Sequence, residues 1–261
     1  GLEGGIPPPA LPSHPPSDQY LRYLFIYDFV DTSKKKLVSG VKYAPTWIND
    51  TTLIFTMRSK PNKYGSRYYD LYKMNLSQKK VLLRLDLNVP LKDGFITDET
   101  RINKIIPVIN FLIEKKSKII VISHVGRPKG EVNKLLSLKP ICVNLEKKIK
   151  KKIKLFNDNI FKLKKDDLFK SPEDQIVFLE NIRFYKEEEM NNESFAKHLA
   201  SFADLYVNDA FSCSHRAHAS ISKITQFLPS FAGLQLETEI NALKKVTTEI
   251  KKPITCIIGG S

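Results

Sequence analysis

The sequence predicts an α/β fold for residues 77–261, a parallel sheet with helices on both faces, preceded by a small β-rich segment and a proline-rich tail. Three observations predict it. From about Ser77 onward, short apolar runs alternate with helical periodicities. The runs are apolar at nearly every position rather than every second one, as strands buried on both faces require. Polar residues gather directly after the runs, where an open α/β sheet carries its ligands.

Taken in chain order, residues 1–19 hold six of the 15 prolines, and read as an extended tail because proline fixes φ and removes donors. Residues 20–76 have aromatic and β-branched runs at 20–29, 52–57 and 68–74, separated by turn residues, which predicts three or four antiparallel strands. The strings at 44–50, 53–55 and 69–76 resemble one blade of a TolB-like β-propeller. A single blade leaves faces that need neighbours, and no function of its own is expected for this segment. Strand-like runs follow at 81–87, 118–123, 153–156, 176–179, 205–207 and 254–258. Between the first two, Ile102, Ile105, Ile106, Ile109, Leu112 and Ile113 recur at helical spacing. Asp98 and Glu99 are expected in the first turn of that helix, where carboxylates favour the dipole. Phe195, Leu199 and Phe202 form a second stripe, and Leu236, Ile240, Leu243 and Val246 a third. The end of the chain, a strand-like run followed by Gly259, Gly260 and Ser261, reads as a cut just before a helix.

The 261 residues carry 42 Lys+Arg against 28 Asp+Glu, a formal charge of +14. Such an excess suits nucleic acid, a membrane surface or an anionic small molecule. The densest basic run, Lys147–Lys154, has no interleaved aromatics and sits in no recognisable nucleic-acid motif, so no specific nucleic-acid partner is expected. No apolar run approaches the roughly 20 residues of a membrane span, so no membrane partner is expected either. Cys142, Cys213 and Cys256 show neither disulfide nor metal spacing, which suits a reducing, cytoplasmic setting. Phosphate-binding and dinucleotide-binding glycine loops are missing. His215 and His218 lack a third zinc ligand of matching spacing, and Cys213 reads as a small core residue.

The candidate site follows the strand ends. Asp86 and Asn88 come after the first run, and His124, Gly126 and Arg127 after the second. Asn181 and Arg183 follow the fourth, and Asn208 and Asp209 lead from the fifth to His215, Arg216 and His218. Arg101 opens the first helix. Arginine presents a planar fork that matches carboxylate and phosphate oxygens and keeps its charge at neutral pH. Several arginines beside Asn, His and Gly on one rim therefore point to a small polyanion.

These residues lie in strings that resemble the N-terminal half of phosphoglycerate kinase: Arg84-Leu85-Asp86-Leu87-Asn88-Val89-Pro90, Asp98-Glu99-Thr100-Arg101-Ile102 and Ser123-His124-Val125-Gly126-Arg127-Pro128-Lys129-Gly130. Leu179-Glu180-Asn181-Ile182-Arg183-Phe184-Tyr185, Val207-Asn208-Asp209-Ala210-Phe211 and His215-Arg216-Ala217-His218 continue the match. The resemblance implies a Rossmann-like sheet that binds 3-phosphoglycerate or 1,3-bisphosphoglycerate. It implies that Asp86 and Asn88 hold the glycerate end, and that His124, Arg127, Arg183 and Arg216 clamp the phosphate that stays. Arg101 would be catalytic, stabilising the phosphoryl group in flight to ADP. Mg2+ with ADP or ATP is implied by the family, but its binding domain would lie beyond Ser261. The chain as given is thus expected to be a truncated, monomeric glycerate-binding half that does not turn over alone. Residues 1–73 are expected to be foreign to the family. A non-catalytic anion-binding or protein-interaction module is the alternative reading.

Overall fold

The computed structural model describes the backbone of residues 26–31, 36–42, 46–49, 52–58 and 69–247, apart from 93 and 172–174, and the side chains of 76–247 apart from those, 244 and 246. The strand expected at 254–258, the glycine pair after it and the tail at 1–19 lie outside these residues.

Strands β1 (Ile26–Asp31) and β2 (Lys36–Lys42) form an antiparallel pair. Strands β3 (Thr46–Asn49), β4 (Thr52–Arg58) and β5 (Tyr69–Asn75) form an antiparallel three-stranded sheet in that order. That makes five strands where three or four were expected. The extra one, Lys-Leu-Val-Ser-Gly-Val-Lys, has too much Lys, Ser and Gly to read as a strand from propensity. The strings that resemble a propeller blade fall on β3, β4 and β5.

The main sheet begins with β6 (Lys80–Leu85). A short hairpin, β7 (Leu91–Lys92) and β8 (Phe95–Ile96), turns at Gly94, whose φ of +80° suits glycine. Helix α1 (Thr100–Glu114) leads to β9 (Lys118–Ile122), and α2 (Lys139–Ile149) to β10 (Lys154–Phe156). A single-turn α3 (Lys165–Leu168) precedes β11 (Ile176–Leu179). Short α4 (Lys186–Glu189) and α5 (Glu193–Ser201) precede β12 (Leu205–Asp209), and β13 (Ser230–Ala232) precedes α6 (Leu234–Thr247). The six strands run parallel in the order β10-β11-β9-β6-β12-β13.

The side-chain period of two sorts the strand residues between two cores. Val81, Leu83 and Leu85 face Ile102, Ile105, Ile109 and Leu112 of α1 and Ile141 and Leu145 of α2. Leu82 faces the other way, in a cluster with Ile120, Ile122, Phe195, Leu199, Phe202 and Tyr206. Each such aliphatic side chain, once buried, contributes about 1.5–3 kcal/mol. The same alternation puts Arg84 on the Leu82 face, inside the protein.

Three expectations need correction. Asp98 and Glu99 precede α1 instead of occupying its first turn. Asp98 accepts the Thr100 N–H at 2.8 Å, and Glu99, the N-cap residue, bonds Asn144 of α2 at 2.5 Å and Lys148 at 2.8 Å. Their carboxylates thus bridge to a neighbouring turn and helix. Of the described side chains in the α6 stripe, Leu236 is buried, Ile240 is partly buried and Leu243 is half exposed. The fifth strand runs two residues further than expected, so that Asn208 and Asp209 are strand residues. Pro107 does lie within α1. Among the described residues no helix is long and apolar enough to cross a membrane.

Chain order sets the position of the crevice. From β6 the chain moves to β9, on one side, and from β12 to β13, on the other. The loops leaving β6 and β12 therefore diverge, and the gap between their carboxyl ends is the topological switch point.

Candidate functional site

Asp86 stands at the mouth of this crevice, one residue past β6. Its carboxylate pairs with the Arg101 guanidinium from α1 and accepts a hydrogen bond from Ser212 Oγ at 2.6 Å, from the loop after β12. Three elements thus meet on one side chain. Asn88, exposed, accepts the Gly126 N–H at 2.8 Å and ties the β6 loop to the β9 loop. Gly126 has φ +67°, a conformation that favours glycine, and the Leu136 methyl groups pack directly over it.

Behind the mouth lies a buried polar cluster. Arg84 is fully buried and donates from three nitrogens: Nε to Ser220 Oγ at 3.1 Å, Nη1 to the Leu85 carbonyl at 2.5 Å, and Nη2 to His124 Nδ1 at 2.9 Å. Ser220 in turn donates from Oγ at 2.6 Å and from N at 2.9 Å to the Glu188 carboxylate, itself fully buried. Burial pushes the Glu188 carboxyl upward in pKa, against the pull of Arg84 and the two Ser220 bonds. His218 Nδ1 stands 3.7 Å from Glu188 and makes no hydrogen bond.

Arg183 follows β11 in a short 3-10 turn whose N-cap, Asn181, accepts the Arg183 N–H at 3.1 Å. Asn181 is wholly buried and donates to the carbonyls of Val125 at 2.8 Å and Leu136 at 2.9 Å, binding the three loops together. The Arg183 guanidinium donates to the Gly126 carbonyl at 3.3 Å. Its Nε is 3.5 Å from Glu189 Oε1 and has no hydrogen bond despite being buried. Buried donors of this kind are nearly always satisfied. Here Arg183 Nε has the Glu189 carboxylate as an ion-pair partner in place of a hydrogen bond.

Electrostatics tie the members together. Burial depresses the His124 imidazole far below its usual pKa, and Arg84, Arg183 and Arg216 add to the effect. Burial likewise pushes His218 down to about 4, with Arg183, Arg216 and Arg84 contributing. Both rings are therefore neutral at pH 7. Of the residues expected from sequence, His124 and Arg183 are buried here and Arg216, itself exposed, lies near enough to act on His124 electrostatically, while Asp86, Asn88 and Arg101 line the adjoining mouth. Arg127 is exposed on the Gly126 loop and makes no side-chain hydrogen bond or ion pair among the described residues. His215 is exposed, and Cys213 is buried as expected.

Sequence reasoning missed Arg84, Glu188 and Ser220 as members of the cluster. An arginine inside a run of Val and Leu was the available signal, because a strand buried on both faces takes a charge only with partners. A cavity of about 920 Å³ lies elsewhere, lined by Phe95, Val132, Pro140, Val143 and Tyr185, and none of the expected site residues borders it.

Comparison with known proteins bears on this geometry. The chain is 51% identical over 187 residues to a phosphoglycerate kinase of Wolbachia pipientis wMel, covering 72% of this chain and 47% of that protein. It is 46% identical over 192 residues to one from Dictyoglomus turgidum, covering 74% of this chain and 48% of the relative. The chain thus spans about half the length of the curated relatives it matches. The phosphoglycerate kinase structure from Coxiella burnetii superposes with a TM-score of 0.61 at 37% identity, over 69% of this chain and 45% of that one. The enzyme structure from Pyrococcus horikoshii OT3 gives the same TM-score at 27% identity, over 69% of this chain and 46% of the other. The family model described as phosphoglycerate kinase matches residues 71–261, reaching six residues further toward the N-terminus than the strings at 77 onward suggested. With a parallel sheet, a switch-point crevice and a cluster of cations all within the matched span, the chain belongs to the phosphoglycerate kinase family.

Proposed function

We propose that residues 77–261 form the glycerate-binding domain of a phosphoglycerate kinase. Its reaction is reversible phosphoryl transfer between 1,3-bisphosphoglycerate and ADP, giving 3-phosphoglycerate and ATP. The observation that carries this reading is the gathering of Arg183, Arg216 and a neutral His124 around Arg84 beside the crevice. A phosphate group supplies acceptors for a set of donors of this kind.

In this reading Arg183, Arg216, His124 and the exposed Arg127 hold the phosphate that is not transferred. Asp86 and Asn88 bind the glycerate hydroxyl and carboxyl end, and Arg101 meets the acyl phosphate and offsets its growing charge. Transfer of this kind needs little covalent work from a protein, so positioning and charge stabilisation dominate. Nucleotide and Mg2+ belong to the same proposal. No group of three or more His, Cys, Asp or Glu side chains suited to a metal ion occurs among the described residues. In this proposal Mg2+ would be carried mainly by the nucleotide phosphates, as is usual for such ions. A cytoplasmic monomer without nucleic-acid or membrane partners completes the proposal, with residues 20–76 a separate β-rich segment and 1–19 a tail.

Titration calorimetry of the 261-residue chain tests it. Saturable binding of 3-phosphoglycerate is expected, with glycerate lacking the phosphate much weaker. Absence of heat at millimolar 3-phosphoglycerate would overturn the reading in favour of an interaction module.

A further inference from the structure

Arg84 is the cation of the cluster that the phosphate reading leaves without a task. It is fully buried, and all three of its recorded hydrogen bonds go to protein atoms. It therefore acts on a ligand only through a neighbour.

That neighbour is His124. A guanidinium has donors and no acceptor. The 2.9 Å contact between Arg84 Nη2 and His124 Nδ1 is a hydrogen bond only when Nδ1 carries a lone pair. An imidazolium, or the tautomer with the proton on Nδ1, would set N–H against N–H. Nε2 has no partner among the described residues and is not one of the side-chain nitrogens sealed from solvent. We propose that Arg84 is a positioning residue that locks His124 as the neutral Nε2–H tautomer, so that the ring offers a donor and not a lone pair to an incoming phosphate. The inference deepens the phosphate reading and rests on it for the identity of the ligand.

The surroundings enforce the same state. Arg84 faces the ring from β6, Arg183 from the turn after β11, and Arg216 and His218 from the loop after β12. The nearby carboxylate, Glu188, is committed to both Ser220 donors and faces His218. Arg84 is itself held by Ser220 Oγ and the Leu85 carbonyl, so its Nη2 has one direction left to point. Phosphate then meets a neutral N–H between charged guanidinium groups. The ring adds a directed hydrogen bond without placing another full charge in the buried cluster.

Nitrogen-15 NMR of the full chain with labelled histidine reads the tautomer directly. His124 is expected as neutral Nε2–H throughout about pH 5 to 8, the range over which an ordinary imidazole changes charge. An Nδ1–H tautomer, or an imidazolium within that range, would overturn the lock. Arg84→Met is expected to mix the tautomers, and an unchanged spectrum in a folded Arg84→Met chain would also overturn it. Where that variant fails to fold, two others decide. His124→Gln keeps an amide donor near Nε2 and should hold 3-phosphoglycerate within about threefold of wild type. His124→Asn puts its amide near Nδ1 and should weaken binding about tenfold, the effect of one lost hydrogen bond to a charged group. Equal weakening by both overturns the donor role. A chain with the expected tautomer that ignores 3-phosphoglycerate overturns the phosphate reading, whereas the wrong tautomer with intact binding overturns the lock alone.

Discussion

Glu188 and His218 show how one buried site holds ionisable groups in opposite states. Glu188 balances Arg84 through Ser220, and removing it leaves a buried guanidinium without that compensation. Glu188→Leu is expected to lower stability by about 3–5 kcal/mol in urea unfolding, the range for breaking a buried charge arrangement. A change below about 1 kcal/mol would show that Arg84 has other compensation. His218 titrates near 4 when folded, against an ordinary value of 6.5. Above 6.5 both folded and unfolded rings are neutral. Between 6.5 and 4 the unfolded chain takes up the proton first, so the His218 contribution to stability falls as pH falls through this window. Glu188, with its raised pKa, works in the opposite sense, so the comparison must hold it fixed. His218→Gln should gain on wild type as the pH is lowered from 6.5 toward 4, as seen in urea midpoints, and parallel curves would contradict this.

At the scale of elements, α6 depends on a residue outside it. Asp209, the last residue of β12, accepts the N–H groups of Gln235 at 2.7 Å and Leu236 at 3.0 Å, satisfying two free donors at the helix start. The two segments approach so closely that a Cβ on Gly233 would lie 2.5 Å from the Asp209 carboxyl carbon. Asp209→Ala should cost about 1–2 kcal/mol, the usual loss for a helix cap, and should reduce helical circular dichroism before global unfolding. Gly233→Ala should cause a comparable loss by pushing the carboxylate away from the helix. If α6 is unmoved in either variant, Asp209 is no cap. The helix itself was legible from its apolar stripe, but the cap was not, because Asp209 is 26 positions from Gln235 in sequence. The hairpin at Leu91–Ile96 and the three-residue β13 were also missed, each being too short to show a period.

In the whole molecule, both faces of the sheet support stability. Leu82→Ala and Leu83→Ala open cavities in different cores, and each is expected to cost about 2–5 kcal/mol by chemical denaturation. A neutral result at either position would mean that its face is not packed as described. The central strands were legible because continuous apolar runs leave few alternatives, and the rim was legible because polar residues follow strand ends. Arg84 was obscured by the rule that exposed the rest. Within a buried strand, a charged residue reads as an interruption until the partners arriving from Ser123-His124 and His218-Ala219-Ser220 are known. The net charge of +14 is resolved in the same way: a few cations converge beside the crevice, and Lys147–Lys154 spans the end of α2 and the start of β10.

The switch point also imposes an order of events on the chain. Arg84 and Ser220 touch although they are 136 positions apart, and Asp86 and Ser212 meet across 126. The β6–β9 side of the sheet can assemble from nearer contacts, whereas the pairing of β12 with β6 must close a much longer loop. The cluster of Arg84, His124 and Ser220 is therefore expected to form late in folding, after any intermediate in which only the first half of the sheet has formed. A ligand that needs Arg84, His124 and Arg216 together stabilises only the finished sheet, and its recovery during refolding times the arrival of β12.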